Sequence, residues 1–466
     1  MNMAHYDLLI RGGQVVLPDD ILHADIAVKD GKIIALTQPG EADDAIEVVE
    51  ADGLTVMAGV IDPHVHMRDP GSNDREDFIT GTMSAAAGGV TTVLDHPNTV
   101  PSISSVENLY AKRDHLAQRA NVDFGLYGAA GAGNLEDIVK LAEAGVVAFK
   151  TFLHGAPVGR EEEFVGLCAT DDGELYSVLG AIAKTGLMSI IHAENDSIIN
   201  SLIAKMKEKS DILGDAHERS RPVATEMEAV ARVAILAQAV GCRVNIAHLS
   251  SGSAAKMIRM FKDNGYSLTV ETCPQYLFAT VEGLNKYGPY AKINPPLRSQ
   301  EEQDLLWEHI QNGTIDMIGS DHAPHRPADK EKGKINIFDA GSGLPGIETM
   351  LPLFLTAANE GRIDLNHLTK IMSLNSAKNY GLFPRKGVIR PGSDADFVLV
   401  DLNKTYKLEK EKLFTKQRDQ AMLFDGFEAK GAPVMTIIRG SRVMEEGKIL
   451  VEPGFGKFQP GPLFRG

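Results

Sequence analysis

Cysteine is nearly missing from this chain: Cys168, Cys242 and Cys273 are the only three in 466 residues, and no two lie close together in the sequence. That spacing excludes a disulfide framework, offers no thiolate pair for a zinc site, and fits a reducing compartment. Long apolar runs are missing too. None approaches the roughly 18 uninterrupted residues of a membrane span. The opening stretch MNMAHYDLLIRGGQ has no basic segment leading into an apolar core, as an export signal would. A soluble, cytoplasmic protein with no membrane partner is expected. Positive charge is also in short supply, with 47 Lys and Arg against 63 Asp and Glu and a net charge of -16, the acids being scattered along the chain. Nucleic acid is a poor partner for such a surface. What the chain does have is 43% hydrophobic and 24% charged residues, the balance of a well-buried globular protein with room for one large domain and a smaller one.

From Tyr6 to about Ala58 short β-type runs are split by turn signals (YDLLIRGGQVVLP, ADIAVKDGKIIAL, AIEVVEADGLTVMAG). The far end repeats the style in GSDADFVLVDL and PVMTIIRGSRVMEEGKILVE. Residues 1–57 and 387–466 are therefore expected to form one small β-sandwich, the latter range including a C-terminal tail. Between them, over 58–386, apolar runs alternate with amphipathic helical segments, the rhythm of a parallel sheet with helical crossovers. Eight runs stand out: 60–66, 90–98, 122–129, 146–153, 188–195, 243–250, 267–274 and 315–323. The fold class expected is α/β, a (β/α)8 barrel of the TIM type, in which functional groups sit at the C-terminal ends of the strands.

The side chains able to do chemistry fall at those ends. The first run closes on His64-Val-His66, and alternation along a strand puts both imidazoles on one face, where they can share a metal ion. Taken alone, such a pair also suits a surface or core position. Lys150 closes the fourth run among Val146, Val147, Ala148, Phe149 and Phe152, as a buried amine or as a lysine snorkelling from a strand end. His192 and His248 close the fifth and sixth, where a single histidine can equally be a hydrogen-bonded structural residue. The eighth ends in Asp321, which on its own could be a helix cap or turn residue. Joint placement decides, because strands 1, 4, 5, 6 and 8 would deliver all six groups to one rim, and the separate structural explanations would have to coincide there.

These residues and the motifs around them (HVHMRDPG, HAEN, AHLS, ETCPQYL, INPPLRS and GSDHAPH, in this order) resemble the amidohydrolase superfamily and, within it, the cyclic amidohydrolases: dihydroorotase, allantoinase, hydantoinase and dihydropyrimidinase. The resemblance runs over essentially the whole chain. It implies a hydrolase of ring amides holding two divalent ions, zinc in the first instance, with manganese or cobalt as alternatives. His64, His66 and Asp321 would bind the more buried ion and His192 and His248 the more exposed one. Lys150, carboxylated by CO2, would bridge them. A protonated amine cannot ligate, whereas its carbamate is an anionic bidentate bridge. Asp321 would carry the proton from the attacking water to the departing ring nitrogen. The resemblance also implies a homodimer or homotetramer and a small cyclic amide as the only partner.

Residues between the ligands speak to the substrate, in two directions. Arg68, Asn98, Asn294 and His325 look like the dihydroorotase set that grips a ring carboxylate, as a guanidinium and an amide would; Arg68 could instead pair with Asp69 or another local acid. The stretch 122–150 and the segments GSGLPGIET, GAPVMTIIRG and ILVEPGFGKF look more like L-hydantoinase and allantoinase. D-hydantoinases and dihydropyrimidinases place a tyrosine five residues after the bridging lysine, and Gly155 stands there. His96 occupies a position where the family has methionine. The leading expectation is a dihydroorotase-like anionic ring, with hydantoin or allantoin as the alternative. A non-catalytic dihydropyrimidinase-like scaffold is disfavoured because every ligand position is filled, and a nucleobase deaminase because of Lys150. Segments 205–222 and 326–347 are insertions that could be lids over the site or solvated loops.

Overall fold

The computed structural model describes residues 5–42 and 44–465. Each of the eight apolar runs contains a strand: Val60–Val65, Val90–Asp95, Asp123–Leu126 continued by Gly128–Ala129, Phe149–Phe152, Met188–His192, Arg243–Ile246, Leu268–Thr272 and Met317–Ile318. Neighbours pair in parallel around the whole order. The third and fourth strands are further tied by the Val147 N–H donating to Leu126 O at 2.9 Å, and the circuit closes where the His66 N–H donates to His322 O at 2.8 Å. The strands read as continuous apolar runs because helices cover their outer side and side chains fill their inner side. The result is the expected (β/α)8 barrel.

Short polar residues after the strands start the crossover helices. Asp77, Ser105, Asp171, Ser251 and Ser299 each accept a backbone N–H of the first turn, satisfying a donor that the helix itself cannot. Two further contacts set the floor of the rim. Asp62 accepts the N–H groups of His64 and Ser320, each at 3.0 Å, lacing the first strand to the last. At Gly319 an added Cβ would lie 2.9 Å from His64 Cβ, so only glycine lets the two strands approach there.

The two chain ends share a nine-stranded sheet in which Phe397–Lys407 pairs with Thr55–Ala58. Tyr6–Val16 turns within it. Its first half pairs with Ala45–Glu50, and after an irregularity between Ile10 and Gly13 it pairs with Thr55 and Val56. Leu8, Ile10, Val15, Ile26, Phe397, Leu399 and Ile437 form the core of this smaller domain. Val16, Met57, Val398, Val400, Ile438 and Met444 instead join the barrel core, so the two domains meet through apolar surface. The tail then runs back along the barrel, where the Phe124 N–H donates to Lys457 O at 3.0 Å and the Gly461 N–H to Gly145 O at 2.9 Å. All three cysteines are free thiols, and no helix among the described residues is long and apolar enough to cross a membrane.

Candidate metal centre and active site

The C-terminal ends of the strands surround a cleft of about 1280 Å³ whose lining includes His66, Arg68, Asn98, Lys150, His192, His248, Asn294, Asp321 and His325. His64 lies just beneath, fully buried. Every ligand and substrate residue expected from the sequence is therefore at this one rim. Arg68, His248 and Asp321 are three of the seven non-glycine residues with positive φ among the described residues (φ 60°, 38° and 48°). Such backbone strain is concentrated where surrounding structure fixes functional side chains.

Hydrogen bonds select which nitrogen each imidazole presents to the cleft. His64 Nδ1 is held by Glu271, and His66 Nδ1 donates to Asn98 Oδ1 at 2.8 Å, so both turn Nε2 toward Asp321 Oδ1, 3.5 Å from each. His192 Nε2 donates to Glu194 Oε2 at 3.0 Å, and its Nδ1 faces His248 Nε2 at 3.0 Å. Zinc–nitrogen bonds of about 2.0–2.1 Å put two donors on one ion roughly 3 to 3.4 Å apart. The His192–His248 separation fits, and Asp321 needs little movement to complete the other set. The orphaned atoms agree. His64 Nε2 and Lys150 Nζ are buried with no hydrogen-bond partner, an arrangement that costs about 1–3 kcal/mol per group unless something else satisfies it. Burial also pulls His64 down to about 3 and holds His66 and His248 well below the usual histidine range, so these rings are neutral, as ligands must be. Burial lowers the Lys150 amine as well and raises the Asp321 carboxyl. This donor set fits divalent ions.

Other groups were not assigned from the sequence. Glu271, at the end of the seventh strand, is fully buried and also reaches Asn245 Nδ2 at 3.2 Å and the His248 N–H at 3.3 Å. A carboxylate behind a metal-binding histidine fixes its tautomer and orientation. The signal was present in ETCPQYL as an acid in an apolar strand. Glu194 plays the same part for His192; burial would raise its pKa, but Arg221 Nη1, 2.5 Å away, outweighs that and holds it below the usual carboxylate range.

The chain matches the amidohydrolase family model over residues 55–443. It belongs to that family. L-hydantoinase of Paenarthrobacter aurescens is 38% identical over 455 residues, 97% of this chain and 98% of the relative. Allantoinase of Bacillus velezensis is 36% identical over 455 residues, 97% of each. Among solved structures, L-hydantoinase (dihydropyrimidinase) from Arthrobacter aurescens superposes with a TM-score of 0.93 at 38% identity, covering 97% of this chain and 99% of that one. Dihydropyrimidinase from Brevibacillus agri NCHU1002 gives 0.89 at 29%, covering 98% and 99%. This amidohydrolase is thus a cyclic amide hydrolase of the hydantoinase and allantoinase type. The finer dihydroorotase-like assignment is not separated from that type by these relatives.

Within the amidohydrolase cleft, the substrate residues differ in what they offer. Arg68 is buried, with Nε and Nη1 unpartnered. Its expected rivals are engaged elsewhere: Asp69 binds His115 at 2.7 Å and Arg119 at 2.9 Å, and Glu163 binds Arg75 at 2.8 Å and also Arg160. Asn294 Oδ1 is likewise unpartnered. Asn98, by contrast, already orients His66, and His325 Nε2 donates to Ser342 O at 3.0 Å; burial holds that ring well below the usual histidine range, so its Nδ1 is left as an acceptor. The insertion 326–347 forms a wall of the cleft, pinned by Lys292 Nζ donating to Phe338 O at 3.1 Å and Ala340 O at 2.7 Å. It also meets the other insertion, where the Ile337 N–H donates to Ile212 O at 2.8 Å. From the smaller domain, Gln420 grips the His325 backbone on both sides.

Proposed function

We propose that this protein is a binuclear metal-dependent enzyme that opens the ring amide of a cyclic ureide bearing a carboxylate, dihydroorotate or a carboxyalkyl hydantoin. The observation that carries the reading is Arg68, a buried guanidinium facing the cleft with two nitrogens unpartnered and no acid of its own. A buried cation without a counter-ion is costly, and a substrate carboxylate would supply one through charge-assisted hydrogen bonds. The names of the relatives favour a second reading, a neutral hydantoin or allantoin.

His64, His66 and Asp321 would hold one ion, His192 and His248 the other, and Lys150 as its carbamate would bridge them. When bound, such ions acidify a shared water and polarise the scissile carbonyl. The chain's own groups do the rest. Arg68 and Asn294 bind and orient the ring. Asp321 presents Oδ1 to the two imidazoles and leaves its second oxygen to take the proton of the attacking water. As the carbonyl carbon gains oxygen and the C–N bond breaks, Asp321 gives that proton to the ring nitrogen. Raising its pKa by burial suits a carboxylate that must hold a proton in passing. The 58–386 barrel would be the catalytic unit, and the enzyme would work in the cytoplasm as a homodimer or homotetramer.

A panel of dihydroorotate, carboxymethyl hydantoin, allantoin, hydantoin, 5-alkyl hydantoins and dihydrouracil, assayed with zinc-, manganese- or cobalt-loaded enzyme of measured metal content, tests this. The two carboxylates should show the highest kcat/KM. Allantoin or a neutral hydantoin leading the panel would overturn the anionic reading while leaving the cyclic amidohydrolase intact.

A further inference from the structure

One buried imidazole has no task in this scheme. His96 directly follows the second strand and is 1% exposed, and neither ring nitrogen has a hydrogen-bond partner. Its backbone is fixed next to the ligands, with its N–H donating to Val65 O at 2.9 Å and Lys112 Nζ donating to its carbonyl at 3.1 Å. The ring stacks on His64 with centroids 4.0 Å apart and lies 4.7 Å from His66. Ligand nitrogens of His64, His66 and His96 fall within 4.8 Å of one another. Three imidazoles with one open position are a recognised zinc donor set.

We propose that His96 is a nitrogen ligand of the buried ion position, so that His64, His66 and His96 retain one ion when the Lys150 bridge is absent. Presenting a nitrogen to that ion requires a turn of the His96 ring about its Cβ–Cγ bond. That turn breaks no hydrogen bond, because neither nitrogen has one, and binding the ion satisfies one of the two unpartnered nitrogens. The backbone anchors at Val65 and Lys112 keep the strand end in place meanwhile. The binuclear site would then be assembled in order, the buried ion first on three histidines and the bridge and second ion after it.

The inference rests on the metal-binding reading above, and its test separates the two. Cobalt(II) and zinc are titrated into metal-free Lys150→Ala, Lys150→Ala/His96→Met and Lys150→Ala/His96→Gln proteins. Metal stoichiometry, competition with a chelator and the visible cobalt spectrum are the readouts, with circular dichroism and a melting curve confirming the fold. Lys150→Ala is expected to keep one ion per chain. Either His96 change should weaken it at least tenfold and alter the cobalt spectrum. Equal affinity and an unchanged spectrum in a folded double variant overturn the role of His96, as does loss of all metal from Lys150→Ala while the unaltered enzyme holds two ions. An unaltered enzyme that binds no ion at all would instead remove the metal reading itself.

Discussion

Truncating Arg68 to alanine is the perturbation that bears most directly on what the cleft recognises. The side chain is 4% exposed, its Nε and Nη1 have no protein partner, and Glu163 keeps Arg75 and Arg160 when it is removed. Alanine carries the same Cβ penalty as arginine at φ 60°, so the strain of the loop is unchanged. The loss should therefore fall on the substrate. Leaving a buried substrate carboxylate without its charged partner costs about 2–5 kcal/mol. At about 1.4 kcal/mol per factor of ten, this is on the order of 30- to several-thousand-fold in kcat/KM. Steady-state kinetics on dihydroorotate and on unsubstituted hydantoin, with the same metal-loaded preparation, give the informative quantity, the ratio of the two losses. Damage to the neighbouring His66 would lower both alike. Arg68→Lys keeps the charge but not the two-pronged donor and should fall between the two. Equal losses on both substrates would refute carboxylate recognition by Arg68.

Lys150→Ala should lose the second ion and most activity, with partial recovery on adding a short carboxylic acid; full activity with a normal metal count would make Lys150 structural. Because burial lowers the Lys150 amine pKa, the neutral amine that reacts with CO2 becomes available at lower pH than for an ordinary lysine, near 10.4. Reactivation of metal-free enzyme by bicarbonate and zinc should rise with pH and level off well below that value, and a rate still climbing through pH 10 would contradict the lowered pKa. Asp321→Asn should retain the fold and at least one ion but lose turnover on every ring substrate, since an amide cannot take the proton; near-normal kcat would exclude it as the shuttle. Glu271→Gln removes the charge behind His64 and should weaken the buried ion by about 10- to 100-fold, measured by chelator competition, and unchanged affinity would show that Glu271 does not position the histidine.

The barrel, and the gathering of the six expected ligand residues at one rim of it, were legible because both are written locally. A strand buried on both faces is a short apolar run, and His64, His66, Lys150, His192, His248 and Asp321 interrupt or close such runs at the end where a barrel places its chemistry. The groups behind them were not legible, because their meaning lies in contacts across the chain: Glu271 reaches back 207 positions to His64, and Gln420 reaches 95 to His325. The same limit applies to Asn98 and His325. The sequence puts them in the set expected to grip a carboxylate but cannot say that each already has a protein partner, His66 for one and Ser342 for the other. Those partnerships narrow the site's recognition chemistry. With Asn98 and His325 occupied and Asp69 and Glu163 engaged elsewhere, Arg68 is left as the cleft's uncommitted cation beside the expected ligands. If it does not select an anion, its Nε and Nη1 stay unsatisfied in a buried site, with only the attraction of Glu163 and Asp321 set against the burial, which is why the substrate question turns on this one side chain.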